Sequence, residues 1–339
     1  MQVNKNIGVF RKELIGFGLL FMFLTAFFFM EQIKTGPVMK DLPGTIVHVN
    51  TIFLSILIEA IPFILLGVFV SALIQTFVSE ESLQKYLPKN PVLAVLPAAL
   101  FGLLAPICEC AIVPVVRRLI KKGMPLHIGF VFLAAAPIVN PVVILSTYYA
   151  FRNDLTILYS RMGLGILVAI VTGLFIWILF RNSDQLKWSK EEMVSRREDS
   201  TVKPKMNRLK QTLYHASDEF FDTGKYIIIG AFLASLFQTL LDREFLLSIG
   251  NDEIRSTGIM MGLAFLLSVC SEADAFIAAS FNGTFSKTSL IAFLVFGPML
   301  DVKNAIMLFA YFKSKFVMVF ITLITVLVFG SVLILSHFV

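Results

Sequence analysis

The chain has 339 residues, of which 57% are apolar and only 15% are charged. A soluble domain is usually about 45–50% apolar, with about a quarter of its residues charged. Here the mean hydropathy is +0.82. This composition excludes a disordered chain, a nucleic-acid binder of ordinary composition and almost any soluble enzyme. It predicts an all-α polytopic membrane protein, because a spanning helix needs about 20 apolar residues.

The charges and cysteines narrow the class further. The formal net charge is +6, which in a membrane protein indicates basic cytoplasmic loops. The three cysteines all lie within apolar stretches, and their odd number argues against a secreted disulfide scaffold. Near the N-terminus the apolar run 14–30 follows basic residues but precedes no small-residue cleavage site, so residues 1–50 are predicted to hold a retained first span and a connector.

Charged residues bound the segments that we expect in the membrane. In chain order these are 14–30, 51–78, 92–116, 127–150, 160–180, 222–241, 256–282, 289–311 and 315–338. The stretch 181–221 is polar and rich in Lys and Arg, and is therefore predicted to be a cytoplasmic linker. It separates a first membrane repeat, 51–180, from a second, 222–339.

The two halves resemble one another in sequence. With one offset Glu109 aligns with Glu272, and after a short gap Asn140 aligns with Asp301. One long register that carries polar matches is less easily accidental than scattered apolar ones. We therefore predict an internal repeat.

Charge also predicts how the halves lie in the membrane. If the N-terminus is cytoplasmic, the basic run 117–122 and the 181–221 linker are both inside only when segment 92–116 enters and turns back. The same reasoning makes 256–282 turn back from the opposite side. The sequence thus predicts two inverted-topology repeats, each with a broken or re-entrant helical segment, an architecture typical of secondary transporters. The alternative is an ordinary bundle of full spans.

The first broken segment has the densest chemistry. Cys108, Glu109 and Cys110 lie between Pro106 and Pro114. Thiolates favour soft ions and metalloids, whereas carboxylates favour hard ions or protons. Charged residues within spans are expensive and usually face a cavity or the bundle interior. We predict a substrate site here, with the prolines breaking the helix along the pathway.

The second half has a matching group, Cys270, Glu272 and Asp274. All three cysteines of the chain therefore lie at these two places, and Cys108, Cys110 and Cys270 could bind a trivalent metalloid. The alternative is that each thiol is a small buried hydrophobic group.

Glu109 and Glu272 have a second candidate role. A carboxyl group desolvated at membrane depth can exchange protons in the working pH range, and this would couple transport to the proton gradient. The alternative is a carboxylate paired with a cation such as Lys303.

Two further spans carry a proline followed by a polar residue. Pro137 precedes Asn140, and Pro298 precedes Asp301. A proline inside a span frees backbone carbonyl groups, which can line a pathway. We predict that Asn140 and Asp301 bind substrate or an ion; a packing kink with an interhelical hydrogen bond is the alternative.

These motifs resemble the ArsP-type, or YraQ-like, family of predicted permeases over roughly residues 50–335. The resemblance rests on the 106–115 and 136–141 motifs of the first half and on the runs 270–276 and 297–303 of the second. It implies a bacterial inner-membrane permease. Some members export trivalent organoarsenicals with cysteines assigned to arsenic binding, a role that would pass to Cys108, Cys110 and Cys270. A small residue is commoner than glutamate at the position of Glu109, which indicates another substrate for this branch.

The sequence therefore predicts a secondary transporter, not an enzyme, that exports a thiophilic or organometalloid solute with proton coupling. Its expected partners are the lipid bilayer, the solute, and a membrane partner subunit or further copies of the chain, without nucleic acid or a cofactor. One alternative is a thiol-based membrane redox enzyme with a labile C-x-C disulfide. Another is a membrane subunit that needs a partner protein, docked through the basic linker.

Overall fold

The computed structural model describes six stretches of the chain. They are residues 44–77, 91–104, 108–181, 183–187, 208–240 and 253–337. The predicted span at 14–30 and the predicted break residue Pro106 lie outside them. By its internal contacts the chain divides into Met1–Ile52 and Phe53–Val339. Of the first unit only the C-terminal end is described, as the first turns of a long helix.

The described residues form twelve α-helices in two series of six. The first series is α1 Gly44–Phe77, α2 Pro91–Leu104, α3 Glu109–Lys121, α4 Leu126–Val139, α5 Pro141–Ala150 and α6 Leu155–Phe180. The second series is α7 Arg208–Leu240, α8 Glu253–Leu267, α9 Asp274–Ser280, α10 Lys287–Met299, α11 Val302–Tyr311 and α12 Ser314–Leu335. In each series the first and last helices in the chain are long, and the four between them are shorter. The internal repeat and the opposite membrane orientation of the two halves stay predictions.

Six segments of the described chain are long and apolar enough to cross a membrane. They are Thr45–Leu73, Leu126–Ala150, Leu155–Phe180, Ala216–Leu240, Lys287–Tyr311 and Ser314–Leu335. The second and fifth are 78% and 89% buried over their most apolar windows, against 22–33% for the other four. These two segments pack against each other through α4 and α10. The chain is therefore an all-α polytopic membrane protein, as predicted, with two of its spans enclosed by other helices.

Both enclosed spans are broken in the middle, although the sequence predicts each as one segment. At the breaks, Asn140 Oδ1 accepts a hydrogen bond from Val142 N at 3.0 Å, and Asp301 Oδ1 accepts one from Asn304 N at 2.7 Å. Such caps satisfy amide groups that the first turn of a helix leaves unpaired. Asn140 and Asp301 thus have the same position in the two series.

The two segments predicted as broken, 92–116 and 256–282, are also interrupted. Cys108 has an extended backbone immediately before α3, and Ser268 after α8 has a φ of 51°, which a residue with a side chain rarely adopts. The short helix after each interruption packs against the other series, α3 against α11 and α9 against α5. This exchange places the acidic first residue of each short helix beside the opposite half.

The second series begins before the predicted end of the linker, since α7 already includes the last part of 181–221. The reason is that acidic residues of α7 have partners on α3. Glu219 forms an ion pair with Arg118, and Asp222 Oδ2 lies 3.3 Å from Arg117 Nη1. Arg117 and Arg118 belong to the basic run from which the topology is predicted. Both are therefore paired with acidic residues of the second half.

Candidate functional site

The first interruption brings three neighbouring polar side chains into the interior. Cys108 is the N-cap residue of α3, and Glu109 and Cys110 begin the helix. Their exposed fractions are 2%, 0% and 3%. A Cβ atom at Gly67 of α1 would lie 2.1 Å from Ala111 Cβ. The absence of a side chain at Gly67 therefore lets α1 pack directly on the start of α3.

The second half supplies a buried cation opposite these residues. Lys303 lies on α11 and is only 3% exposed. A Cβ atom at Gly230 of α7 would lie 2.9 Å from Lys303 Cα. Gly230 follows Gly67 by 163 residues, the same offset as Glu272 from Glu109, and each glycine permits a close approach to the helix that carries a charged residue of the site.

Lys303 lies between two carboxylates. Its Nζ is 3.8 Å from Glu109 Oε1 and 3.5 Å from Asp301 Oδ2. Asp301 Oδ2 also accepts a hydrogen bond from Ser268 Oγ at 2.7 Å. One cation beside two carboxylates leaves one negative charge in excess, and in a desolvated site this charge favours the binding of a proton or another cation. We call Glu109, Asp301 and Lys303 the charge cluster.

Glu109 is the least satisfied member of the charge cluster. Neither carboxylate oxygen accepts a hydrogen bond from the described residues, although the side chain is fully buried. Buried polar atoms in proteins are nearly always hydrogen-bonded, so an unsatisfied one calls for an explanation. A bound ligand or an exchangeable proton would supply the missing interaction.

The cysteines are free and buried. The Cys108 and Cys110 side chains are neighbours, and Cys110 and Cys270 both lie near Lys303. The Cys270 thiol donates a hydrogen bond to Glu272 Oε2 at 2.9 Å. The predicted cysteines thus lie beside the charge cluster, and their role in substrate binding stays a prediction.

No group of three or more His, Cys, Asp or Glu side chains in the described ranges is arranged to hold a metal ion. The three-thiol site that the sequence suggests is thus not assembled in this conformation. Cys108 and Cys110 are the pair of thiols that lie together, and metalloid binding by the cysteines stays a prediction.

Asp274, predicted to contact substrate, has both carboxylate oxygens engaged. Arg161 Nη1 donates to Asp274 Oδ1 at 2.9 Å, and Nη2 donates to Oδ2 at 2.7 Å. Arg161 also donates to Thr147 Oγ1 at 2.8 Å and to the Ser271 carbonyl at 3.3 Å. Bidentate pairs of this kind are strong and geometrically specific.

Sequence reasoning missed Arg161. It lies at the edge of the predicted span 160–180, where a basic residue is read as an interfacial anchor. In the structure α6 begins at Leu155, one and a half turns earlier, and the Arg161 side chain is fully buried. The available signal was an arginine within an apolar helix, a type of residue that usually faces the protein interior.

The remaining predicted residues border the interruptions. Asn140 is 1% exposed, and its Oδ1 caps α5. Pro137, Pro298 and Pro114 are buried within α4, α10 and α3. The first two lie in the last turn before a break, where a proline removes one helical hydrogen bond and so disfavours the helix.

A buried cluster of ionisable groups where broken membrane helices meet is typical of transport proteins. The fold and the site thus define a multi-pass membrane permease. The chain belongs to the ArsP_1 family of predicted permeases, whose family model matches residues 45–337. The resemblance stated from the motifs is confirmed, and membership favours a transporter over an enzyme.

Two relatives match most of the chain. The UPF0718 protein YcgR of Bacillus subtilis (strain 168) is 50% identical over 292 residues, which cover 86% of this chain and 98% of that protein. A protein of Streptococcus mutans serotype c, named "Putative two-component membrane permease complex subunit", is 40% identical over 284 residues, covering 84% of this chain and 93% of that protein. No solved structure matches significantly.

Proposed function

We propose that the chain is a secondary permease that exports a thiophilic or organometalloid solute, such as a trivalent organoarsenical, in exchange for protons. One observation carries the proposal: a fully buried Glu109 whose oxygens accept no hydrogen bond from the described residues lies 3.8 Å from Lys303 and between two buried cysteines in sequence. A site with these groups offers soft ligands and an excess negative charge in one place.

The thiols support the substrate class. Sulfur ligands select soft metals and metalloids over hard cations, and a trivalent arsenical with one organic group has two positions to offer to thiols. Cys108 and Cys110 provide two neighbouring thiols in this conformation. Cys270 would join them after a movement of its segment.

The charge cluster supports proton exchange. In the proposed cycle the charge cluster holds one proton when no cation is bound, because two carboxylates and one ammonium cannot balance in a dry environment. Release of this proton on one side of the membrane and uptake on the other would drive transport. The proposed orientation places the N-terminus and the 181–221 linker in the cytoplasm of a bacterium, as their basic residues favour.

Cellular accumulation tests the substrate class. A sensitive bacterial host expressing the wild type would be exposed to methylarsenite, phenylarsine oxide, arsenite, antimonite, zinc and copper, and compared with cells expressing Cys108→Ser/Cys110→Ser. Lower accumulation of one compound, lost in the double variant at equal membrane abundance, is expected. Unchanged accumulation of every compound would refute export of a thiophilic solute.

Proteoliposomes test the coupling. With a pH gradient as the energy source, Glu109→Gln is expected to abolish gradient-driven uptake of the compound identified in cells. Glu253→Gln is the matched control, because Glu253 also begins a helix but is exposed. Transport that depends on the gradient equally in Glu109→Gln and wild type would exclude Glu109 as the coupling group.

A second proposal is that the chain works as the membrane subunit of a two-component permease complex, as the name of the Streptococcus mutans relative suggests. The exposed position of Glu59 halfway along the Thr45–Leu73 segment favours it, because a carboxyl group facing lipid is costly without a partner. Transport by the purified chain alone in proteoliposomes would contradict this proposal. Activity only with a co-expressed membrane protein would support it.

A further inference from the structure

Arg161 joins three parts of the protein at one buried point. Its guanidinium group donates to the Thr147 hydroxyl on α5. In the second half it donates to the Ser271 carbonyl and to the Asp274 carboxylate. Arg161 is 0% exposed, and its ion pair with Asp274 has side-chain exposures of 0% and 4%. Such a pair, once broken, leaves an uncompensated buried charge.

The segment that Arg161 holds has little regular structure of its own. Between α8 and α9 the backbone is non-helical, with two turn hydrogen bonds, from Ala273 N and Asp274 N to the Cys270 carbonyl. At one end, Ser268 binds Asp301 of the charge cluster. At the other end the segment is held by Arg161, which belongs to the first half. Cys270 lies between these two attachments.

The Arg161 side chain is itself fixed from the first half. Thr147 Oγ1 accepts from Arg161 Nη1 and donates to the Val143 carbonyl at 2.7 Å on α5. Thr147 is fully buried. The hydroxyl group therefore connects the guanidinium to the backbone of α5. Through this connection a first-half helix fixes the position of the second-half segment.

The corresponding contact of the other short helix is different. Glu109 begins α3 as Asp274 begins α9, and each acidic residue meets a cation of the opposite half. The Asp274 pair is bidentate at 2.7–2.9 Å, whereas the Glu109 pair is a single approach at 3.8 Å. A short bidentate pair fixes geometry, while the longer approach leaves room for a ligand. The Asp274 pair therefore fixes the position of its segment, whereas the Glu109 contact leaves a site open.

We infer that Arg161 is a positioning residue of the proposed permease site: it holds the 268–274 segment against the first half and so keeps Cys270 and Glu272 beside the charge cluster. The inference deepens the proposed function, on which it rests, by assigning the residue that places one wall of the site. In the transport cycle, movement of Cys270 toward Cys108 and Cys110 would require the Arg161 contacts to loosen or to move as one body.

Thiol labelling tests the inference without a transported compound. Cys270 is retained as the single cysteine in a Cys108→Ala/Cys110→Ala background, and its rate of modification by a maleimide is measured in nanodiscs. Because labelling of a buried thiol requires local opening, Arg161→Gln is expected to raise the rate by about tenfold or more. Arg161→Lys should give an intermediate rate, since lysine keeps the charge but lacks the planar fork.

Two controls separate positioning from general loosening. The rate at Cys108, measured as the single cysteine, should be unchanged by Arg161→Gln. Asp154→Asn breaks another ion pair between the halves, with Lys287, at the surface, and it should leave the Cys270 rate unchanged. Equal acceleration at Cys108 and Cys270, or a Cys270 rate equal to that of the wild type, would overturn the inference.

A milder variant keeps the test decisive if Arg161→Gln does not fold. Thr147→Val removes one partner of the guanidinium and leaves the ion pair with Asp274. We expect about a threefold rise in Cys270 labelling, as the loss of one buried hydrogen bond shifts a local equilibrium by a few-fold. An unchanged rate in this folded variant would count against positioning by Arg161. Because labelling needs no solute, a failure to find a transported compound would leave this result standing.

Discussion

Lys303 Nζ lies 3.8 Å from Glu109 Oε1, within ion-pair range but beyond hydrogen-bond range, although both side chains are buried. The two residues come from opposite halves of the chain. A contact of this length between buried charges gains Coulomb energy without the geometry of a hydrogen bond. It can therefore be exchanged for a contact with a ligand at modest cost.

Removal of the Lys303 charge should destabilise the protein strongly. Lys303→Met leaves Glu109 and Asp301 without a cation, and breaking a buried pair costs about 3–5 kcal/mol. Thermal unfolding in detergent should show a clear drop in the midpoint. The control is Lys315→Met, which removes an exposed lysine of α12.

The double variant Lys303→Met/Glu109→Gln should recover part of this loss, because it removes the orphaned charge together with its partner. Coupled residues are non-additive by about 0.5–3 kcal/mol in such cycles. If the changes in the free energy of unfolding of the two single variants simply add up, the 3.8 Å contact between Lys303 and Glu109 does not contribute to stability.

Asp301 combines two roles that substitutions can separate. Asp301→Asn keeps an oxygen that can accept from Asn304 N and cap α11, but it removes the charge near Lys303. Asp301→Ala removes both, and should be less stable than the asparagine variant by about 1 kcal/mol, the usual effect of a lost cap. Transport should fall equally in both variants. If Asp301→Asn transports normally, the residue acts only as a cap.

Much of this site could be read from the sequence, because its residues are rare in apolar surroundings. Glu109, Asp301 and Cys270 stand out within spans, and the prolines mark the breaks. Arg161 was missed, since its depth depends on where α6 begins and its partner lies over a hundred residues away. The caps at the breaks were also missed, because the sequence alone does not distinguish a side chain that caps a helix from one that binds substrate.

The two glycines of the close helix approaches should be intolerant of a side chain. Gly67→Ala would place a Cβ atom 2.1 Å from Ala111 Cβ, and Gly230→Ala one 2.9 Å from the backbone of Lys303. Overpacking of this kind typically costs about 1–3 kcal/mol. Gly262→Ala is the control, because no atom lies within 4 Å of the new Cβ. Helix propensity should make it neutral or slightly stabilising, and a similar loss in all three variants would contradict the packing argument.

The pH dependence of stability should include a small contribution from Asp154, which lies in the connection between α5 and α6. Lys287 Nζ lies 2.6 Å from Asp154 Oδ2, and this hydrogen bond, assisted by one from Thr156, holds the pKa of Asp154 below its usual value. A carboxyl group with a lowered pKa in the folded state stabilises that state above its unfolded pKa. The contribution is lost as the pH falls through the folded pKa.

Unfolding of wild type and Asp154→Asn should therefore be compared across pH. Asparagine can still cap α6 at Thr156, so the difference isolates the ion pair. It should be constant above about pH 5 and shrink below the unfolded pKa of about 3.9. Its size should be about 0.2–1 kcal/mol, as for other partly exposed pairs. A difference that grows on acidification would reverse the predicted sign.

Tyr311 at the end of α11 should act mainly through its ring. Arg117 Cζ lies 4.1 Å from the ring centroid, and the hydroxyl group is 3.2 Å from Thr223 Oγ1. Tyr311→Phe keeps the cation–π contact and should lose about 1 kcal/mol for the hydrogen bond. Tyr311→Leu should lose about 0.5–2 kcal/mol more. Equal unfolding midpoints for the two variants would exclude the contact with Arg117. Tyr159→Phe is the control, because Tyr159 is 70% exposed.

The ion pairs between the two series make their contact resemble the interface of a two-subunit protein. Arg161 and Asp274 form a desolvated pair, whereas Lys287 and Asp154 form a pair at the surface. These contacts join the two series independently of the peptide chain between them. A gene split between the codons for residues 187 and 208 should therefore yield two polypeptides that associate in the membrane.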